Sequence, residues 1–492
     1  MTTCIGLGTV FVGGTFYLKW YKVNVLDKIE LAFEAGYDPA LELVRFSTST
    51  MVASEDSDEF EEDEPLSTWT EHLRRKEQDV IDRIIEGEEP GYYFMFLGPK
   101  GCGKGTMIFN SMAAIQADGV TLCEAHPDLE VFRLRLGKVL NFEFNEDTQA
   151  GLFQRRDPPE RGPALDIEIA LGKLEKVALR CAKRRGKPFV LVINNIHHFR
   201  NNEEGRDLIL QLQQKAEAWA AGGILTLVFS SDDFWPFHVM RKSASRMHVI
   251  SVADLEQSEA MRALTRMRRD ASRNSASPEE IRSIVDVVGG RLSYLNRAAR
   301  SKDMEAMAKH MLDVEKGWIL SRIGLIPDCD DDQKWSSCSW LLLKEFVKMR
   351  RAQEKERDEA IASGELKPED VGDLPLPAIS WYKCRQIMTR ADFMEDLDRA
   401  NISIDINHNV RPDSMLTLQA AIEVIEEAGF EELLNDVRNR IHEIESLRRT
   451  RELTFKDVDK GDMIRLSVDK GGADLIATIR GRNDDDDDDD DD

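Results

Sequence analysis

Apolar residues along the chain gather into three short runs separated by turn residues and charged stretches. The segments YYFMFL (92–97), PFVLVI (188–193) and ILTLVFSS (224–231) are almost continuously apolar, which suits parallel strands covered on both faces. Between them the spacing becomes helical. Ile167, Ala170, Leu171, Leu174, Val177, Ala178 and Cys181 predict a helix over 166–183, and residues 206–221 read the same way. Upstream, Leu73, Val80, Ile84 and Ile85 make most of an apolar stripe for a helix that leads into the first strand. Helix and strand alternate over residues 67–252. This predicts a three-layer α/β fold with its sites at the carboxyl ends of the strands.

Beyond this core the pattern is helical. Ser277, Pro278 and Glu280 supply an N-cap, a first-turn proline and a capping-box acid, and Ile281, Ile284, Val285 and Val288 form the apolar side before Gly289 and Gly290 end the helix. A helical lid over 253–325 follows from this. A charged linker helix and loop over 335–372 leads to three helical segments within 379–449, and two apolar segments flank Lys470, Gly471 and Gly472 as a hairpin would. Helices plus a hairpin wing place a winged-helix domain over 373–480. At the other end, residues 1–18 carry no charge and are followed by Lys19, Trp20, Tyr21 and Lys22. Residues 1–22 are therefore a candidate single-span membrane anchor, with a buried strand and turn as the alternative. No basic region precedes the apolar run, which argues against a secretory signal.

Charge changes this picture in one respect. The 492 residues hold 91 Asp and Glu against 66 Lys and Arg, a net −25, but nine consecutive Asp at 484–492 and eight acids within 55–64 supply 17 of the 25 excess negative charges. The acidic segment 47–66 reads as a disordered linker, and the poly-Asp run as a solvated tail. A generic nucleic-acid-coating protein is excluded, while a local basic patch is not. Arg155 and Arg156, in an exposed loop at 154–163, could touch phosphate or a neighbouring subunit or simply be solvated. The seven cysteines include no CxxC pair, so neither a disulfide framework nor a zinc ribbon is indicated. A reducing intracellular compartment follows.

The chemistry concentrates in GPKGCGKGT, residues 98–106. Gly98, Gly103 and Lys104 satisfy GxxxxGK in the order strand, loop, helix. Backbone N–H groups across Gly98, Pro99, Lys100, Gly101, Cys102, Gly103, Lys104, Gly105 and Thr106 can close on phosphates, and Lys104 can reach their outer oxygens. Gly105 stands where Ser or Thr is usual, so Thr106 is the hydroxyl available to magnesium. The expected cofactors are ATP, with ADP as its product, and Mg2+.

From about 67 to 312 the chain resembles an AAA+ or related signal-transduction ATPase. GPKGCGKGT resembles Walker A, VLVINNIHHF a degenerate Walker B, and LVFSSDD the sensor 1 strand, with Ser230 or Ser231 in the polar role. The chain also resembles a fungal group of AAA proteins with an upstream acidic stretch and a downstream winged helix, and more distantly the mitochondrial escape protein with its membrane-anchored ATPase domain. One departure is chemical. Asn194 and Asn195 stand where the resemblance implies two acids, one for magnesium and its water and one for the attacking water. An amide lacks both the charge and the basicity of a carboxylate, so binding can survive while hydrolysis is slow or absent. His197, His198, Glu203, Glu204, Asp232 and Asp233 are candidates to compensate, Asp232 first. Arg246, with Arg241 as alternate, is the candidate arginine finger toward a neighbour in a homo-oligomer. Leu292 falls where a sensor 2 Arg is expected, leaving Arg291 or Arg297. The helix with Arg438, Arg440, Arg448 and Arg449 also carries five acids, which favours a protein partner at the winged helix over DNA. The resemblance implies an ATP-binding regulator, or else a nonhydrolysing nucleotide-bound scaffold, and leaves a mitochondrial or membrane-anchored location open.

Overall fold

The computed structural model describes residues 2–36, 74–144, 162–271, 276–322, 334–363, 374–388, 402–404, 408–437, 439, 463–468 and 475–480. Its five-stranded sheet comprises β1 (Tyr93–Leu97), β2 (Val120–Glu124), β3 (Phe189–Asn194), β4 (Leu225–Ser231) and β5 (Met247–Ser251), all pairs parallel, in the order β2-β3-β4-β1-β5. The chain leaves β1 for the far edge, returns through β3 and β4, and crosses β1 to reach β5. That reversal beside β1 opens a crevice at the carboxyl ends of the strands, where open α/β sheets bind ligands.

Side-chain alternation sorts the strands onto two covered faces. Phe94, Phe96, Leu122, Val190, Val192 and Val228 meet Ile81, Ile84 and Ile85 of α2 (Gln78–Ile85) and Met107, Ile108 and Met112 of α3 (Lys104–Ala114). Tyr93, Met95, Leu191, Ile193, Leu227 and Phe229 face the other way. They pack with Phe132 of α4 (Leu129–Val139), Leu174 of α5 (Pro163–Arg185) and Leu212 of α6 (Glu203–Gly222). The sequence pattern identifies β1, β3 and β4 but passes over β2, whose last residue becomes important below.

The N-terminal segment is a single helix, α1 (Thr2–Leu31), and not a strand and turn. It runs past residue 22, the end of the candidate anchor, because its second half belongs to the core. Val25, Ile29, Ala32 and Phe33 are buried, Phe33 stacks on Phe189 at 4.4 Å, and Asp27 pairs with Arg180 at 2.7 Å. No helix among the described residues is long and apolar enough to cross a membrane, so the span expected at 1–22 is unsupported.

The lid is four helices: α7 (Trp235–Arg241) closes the core, and α8 (Gln257–Asp270), α9 (Pro278–Val288), α10 (Leu292–Arg300) and α11 (Met304–Arg322) follow. Ser277 and Glu280 make the expected capping box of α9. Glycine is required just after it. A Cβ on Gly290 would lie 1.9 Å from Leu255 O, and Gly289 has φ +77°.

By internal contacts the chain forms two units, residues 1–324 with 338–427, and 325–337 with 428–492. The first includes most of α12 (Lys334–Ala362), a small antiparallel sheet and α14 (Met415–Ile425). In that sheet β6 (Ile379–Ser380), β8 (Asn409–Pro412) and β7 (Ile402–Ile404) lie in that order, with α13 (Trp381–Met388) following β6. Residues 379 and 380, expected to begin a helix, form strand instead. In the second unit, residues 430–437 are helical, and β9 (Met463–Val468) pairs antiparallel with β10 (Leu475–Arg480), Val468 opposite Leu475, as the hairpin expectation required. The acidic linker at 47–66, Arg155, Arg156, most of the arginine-bearing helix and the Asp tail lie outside the described residues.

Candidate functional site

β1 feeds residues 98–103 directly into α3. Gly101 (φ 81°) and Gly103 (φ 105°, the N-cap) adopt left-handed backbone, and a Cβ on Gly98 would sit 2.1 Å from Val252 O. Each glycine is therefore demanded by conformation or by close approach. Pro99 and Cys102 are buried, Lys100 is exposed, and Gly105 and half-buried Thr106 lie in the first turn of α3. Burial pushes the Cys102 thiol pKa up, which keeps it protonated and unreactive. Arg75 straps the loop from outside, donating to Cys102 O and Ala253 O at 2.6 Å each.

Lys104 is 5% exposed. Its Nζ donates to Gly98 O (2.6 Å) and Pro99 O (3.0 Å) and pairs with Asp232 Oδ1 at 2.6 Å. Asp232 follows β4 and is joined by His197, whose Nδ1 accepts the Asp232 N–H at 3.1 Å and whose Nε2 lies 3.6 Å from Asp232 Oδ2. Burial is the main cause that brings His197 down to about 4, so the ring is neutral at physiological pH. His198 stacks edge-on against it at 4.4 Å.

Asp233 is raised from 3.8 to about 6, first by burial and then by the charges of Asp232 and Asp413. A raised folded pKa means the folded chain holds this proton more tightly than the unfolded chain. The stability it contributes is complete below 3.8 and is lost as pH rises through about 6. Asp233→Asn should therefore raise the thermal midpoint at pH 8, with the gain over the parent shrinking as pH falls through that window. Melting both proteins across pH 4 to 8 checks it, and a constant difference would contradict it.

Asn194 ends β3, and Asn195, left-handed at φ 56°, opens the 3-10 turn Ile196–His198. Both amides donate to one carboxylate. Asn194 Nδ2 donates to Glu124 Oε1 at 2.6 Å and Asn195 Nδ2 to Glu124 Oε2 at 3.1 Å. Sequence reasoning missed Glu124 because it missed β2. The available signal was the Asp118-Gly119 turn followed by Val-Thr-Leu-Cys. Asn194 Oδ1 and Ser230 Oγ are buried polar atoms without a hydrogen-bond partner. Ser231 Oγ instead donates to Asp233 O at 2.7 Å.

The arginines divide. Arg291, 2% exposed, is gripped by Asp254 through two contacts of 3.1 Å and by Asp413, whose carbonyl accepts from Nη2 at 2.5 Å. Arg297 lies in α10 and is exposed. Arg246 stands apart from the loop. It is exposed just before β5, with Nη1 3.4 Å from Gly91 O at the amino ends of the strands, and Arg241 lies over the Phe237 ring.

The sheet order, the glycine loop and the lid define a P-loop-like α/β core, and Asp413 ties a downstream segment to it. That segment has a recognisable family. Residues 320–445 match the fungal AAA protein, C-terminal winged helix domain. The match takes in α12 as well as α14. No curated protein matches the chain. Similar solved structures include a Walker-type ATPase of Pyrococcus abyssi (14% identity, 71% of this chain and 95% of that chain, TM-score 0.42). Others are the ORC2 protein of Aeropyrum pernix (12%, 75% and 95%, 0.38) and Cdc6p of Pyrobaculum aerophilum (13%, 74% and 95%, 0.33). At such scores the likeness does not define the fold, which the strand order defines.

Proposed function

We propose that the chain is an ATP-binding AAA+-type regulator in which residues 98–106 hold the nucleotide phosphates and nucleotide state sets the arrangement of the lid and the winged-helix segment. The observation that carries this reading is the contact between loop and lid. Ser293 N–H donates to Gly101 O at 3.2 Å, and a Cβ on Gly101 would lie 2.3 Å from Ser293 Oγ. Two residues earlier, Arg291 holds Asp254 of the core and Asp413 of the matched segment. A phosphate that shifts the loop would therefore shift the start of α10, and with it the partners of Arg291.

The residues fit Mg-ATP. Gly101 and Gly103 supply the left-handed turns a phosphate loop needs, Lys104 can exchange Asp232 and two carbonyls for phosphate oxygens, and Asn194 Oδ1 and Ser230 Oγ have unused hydrogen-bonding capacity. Among the described residues no group of three or more His, Cys, Asp or Glu could hold a metal ion, which suits a magnesium that arrives on the phosphates and keeps most of its waters. Thr106 and Asn194 are the candidate magnesium contacts. When bound, magnesium neutralises phosphate charge. In this reading Ser230 reports on the terminal phosphate, and Asp232, freed from Lys104, orients water. Arg246 could serve only a neighbour's site in an oligomer, since it lies at the opposite strand ends.

The second reading, a nonhydrolysing scaffold for a protein partner at the winged helix, is favoured by the amides at 194 and 195. Titrating the purified chain with ATP and magnesium while following phosphate release separates the two. Binding with slow release supports the regulator, binding without release supports the scaffold, and absence of binding overturns both.

A further inference from the structure

Glu124, the last residue of β2, pairs in register with Asn194, the last residue of β3. Ser230 of β4 follows Phe229, the partner of Ile193, and itself pairs with Phe96 of β1. Residues at paired positions share a face, and this face is that of Phe96, Leu122, Val192 and Val228, which α3 covers. Glu124, Asn194 and Ser230 therefore form one polar row across three neighbouring strands, at the carboxyl edge and on the side of the helix that follows the phosphate loop.

Half of this row is satisfied and half is not. Two amides hold the Glu124 carboxylate, one on each oxygen, at 2.6 and 3.1 Å. Asn194 Oδ1 and Ser230 Oγ, in residues 5% and 1% exposed, make no hydrogen bond. Buried polar atoms in native proteins are met by protein or by ordered water, so the row has room in its bonding for water. We propose that Glu124 is the carboxylate of this nucleotide site. With Asn194 and Ser230 it holds waters of the magnesium shell on the bound phosphates, the task that a carboxylate at the end of β3 would otherwise perform. The assignment rests on the nucleotide-binding reading above.

It also accounts for the two asparagines. Acids at 194 and 195 would confront Glu124 with like charges at hydrogen-bond distance, whereas amides donate to it and fix its direction. The carboxylate stands on β2 and the amides at the end of β3. Placing acids at 194 and 195 without changing Glu124 would consequently create repulsion and not a repaired site.

The test is the affinity of the full chain for the fluorescent analogue MANT-ATP, with Mg2+ and with EDTA. The parent should bind more tightly with Mg2+. Glu124→Gln should keep the EDTA affinity and lose the Mg2+-dependent gain, by about 10- to 100-fold as for other residues that orient a metal's shell. Glu124→Asn/Asn194→Asp, which moves the carboxylate to β3, should restore the gain. The swap also decides the matter if Gln at 124 impairs folding. A Glu124→Gln variant with the full Mg2+ gain, a folded variant that loses affinity equally in EDTA, or a folded swap without the gain overturns the assignment of Glu124 alone. A parent that binds no MANT-ATP overturns the nucleotide reading as well.

Discussion

Lys104→Ala should weaken ATP binding by about 30-fold or more. The ammonium is nearly buried and is the only lysine of the loop that points inward, since Lys100 is exposed. In the free loop its charge is met by Asp232 and two loop carbonyls, so a phosphate has to outcompete neighbours already at 2.6 to 3.0 Å. It can do so because it carries more charge than they do. Removing one partner of a desolvated charge pair costs about 2–5 kcal/mol, which is roughly 30-fold or more in affinity. The same change strips Asp232 of its cation, so the variant should also melt earlier and needs a folding check. Lys355→Ala, at a site 79% exposed on α12, is the matched control and should bind ATP as the parent does. Calorimetric titration of all three proteins decides the result. A Lys104→Ala protein that is folded and binds as tightly as the parent would remove the loop from phosphate binding.

Arg291→Ala should destabilise the unit containing the core and lid by about 3 kcal/mol, the lower end for breaking a buried pair, because it leaves two partly buried acids without their buried cation. One guanidinium serves three parts of the chain. It takes both oxygens of Asp254 after β5, reaches Asp413 at the start of α14, and begins α10, while its plane lies 5.5 Å from the Tyr294 ring. The neighbouring acids raise its pKa further, against the effect of burial, so no pH in the working range discharges it. Arg291→Lys keeps the charge but loses the fork that fits Asp254, and should fall between parent and Ala. Urea denaturation measures the order. Parent and Ala midpoints within error of each other would show that the network is replaceable by water.

Such features differ in how far the sequence can reveal them. The glycine loop is legible because left-handed turns and close backbone approach can be met only by glycine, which leaves a fixed spacing at 98, 101 and 103. β3 and β4 are legible because strands covered on both faces must be apolar throughout. β2 follows the same rule but is five residues long, with a Thr and a Cys among its apolar residues, and so lacks a distinctive run. Losing β2 means losing Glu124, so the carboxylates the sequence offers in place of Asn194 and Asn195 are those at 203, 204, 232 and 233. The Arg291–Asp413 link is hidden for another reason. Its partners lie 122 residues apart, and nothing in either local sequence marks the contact. For residues 1–22 composition alone points to a lipid partner, whereas Val25, Ile29 and Phe33, directly after them, are buried within the α/β core.

Hydrogen exchange of the whole chain with and without ATP and magnesium reports most directly on coupling between nucleotide and winged-helix segment. Amides that gain a phosphate or a tighter packing partner exchange more slowly. The expected result is slower exchange at 98–106 together with a change at 289–300, where the lid meets the loop, and at 408–417, where Asp413 meets Arg291. Protection confined to the loop, with 289–300 and 408–417 exchanging as in the free protein, would contradict the coupling and leave a nucleotide-bound scaffold.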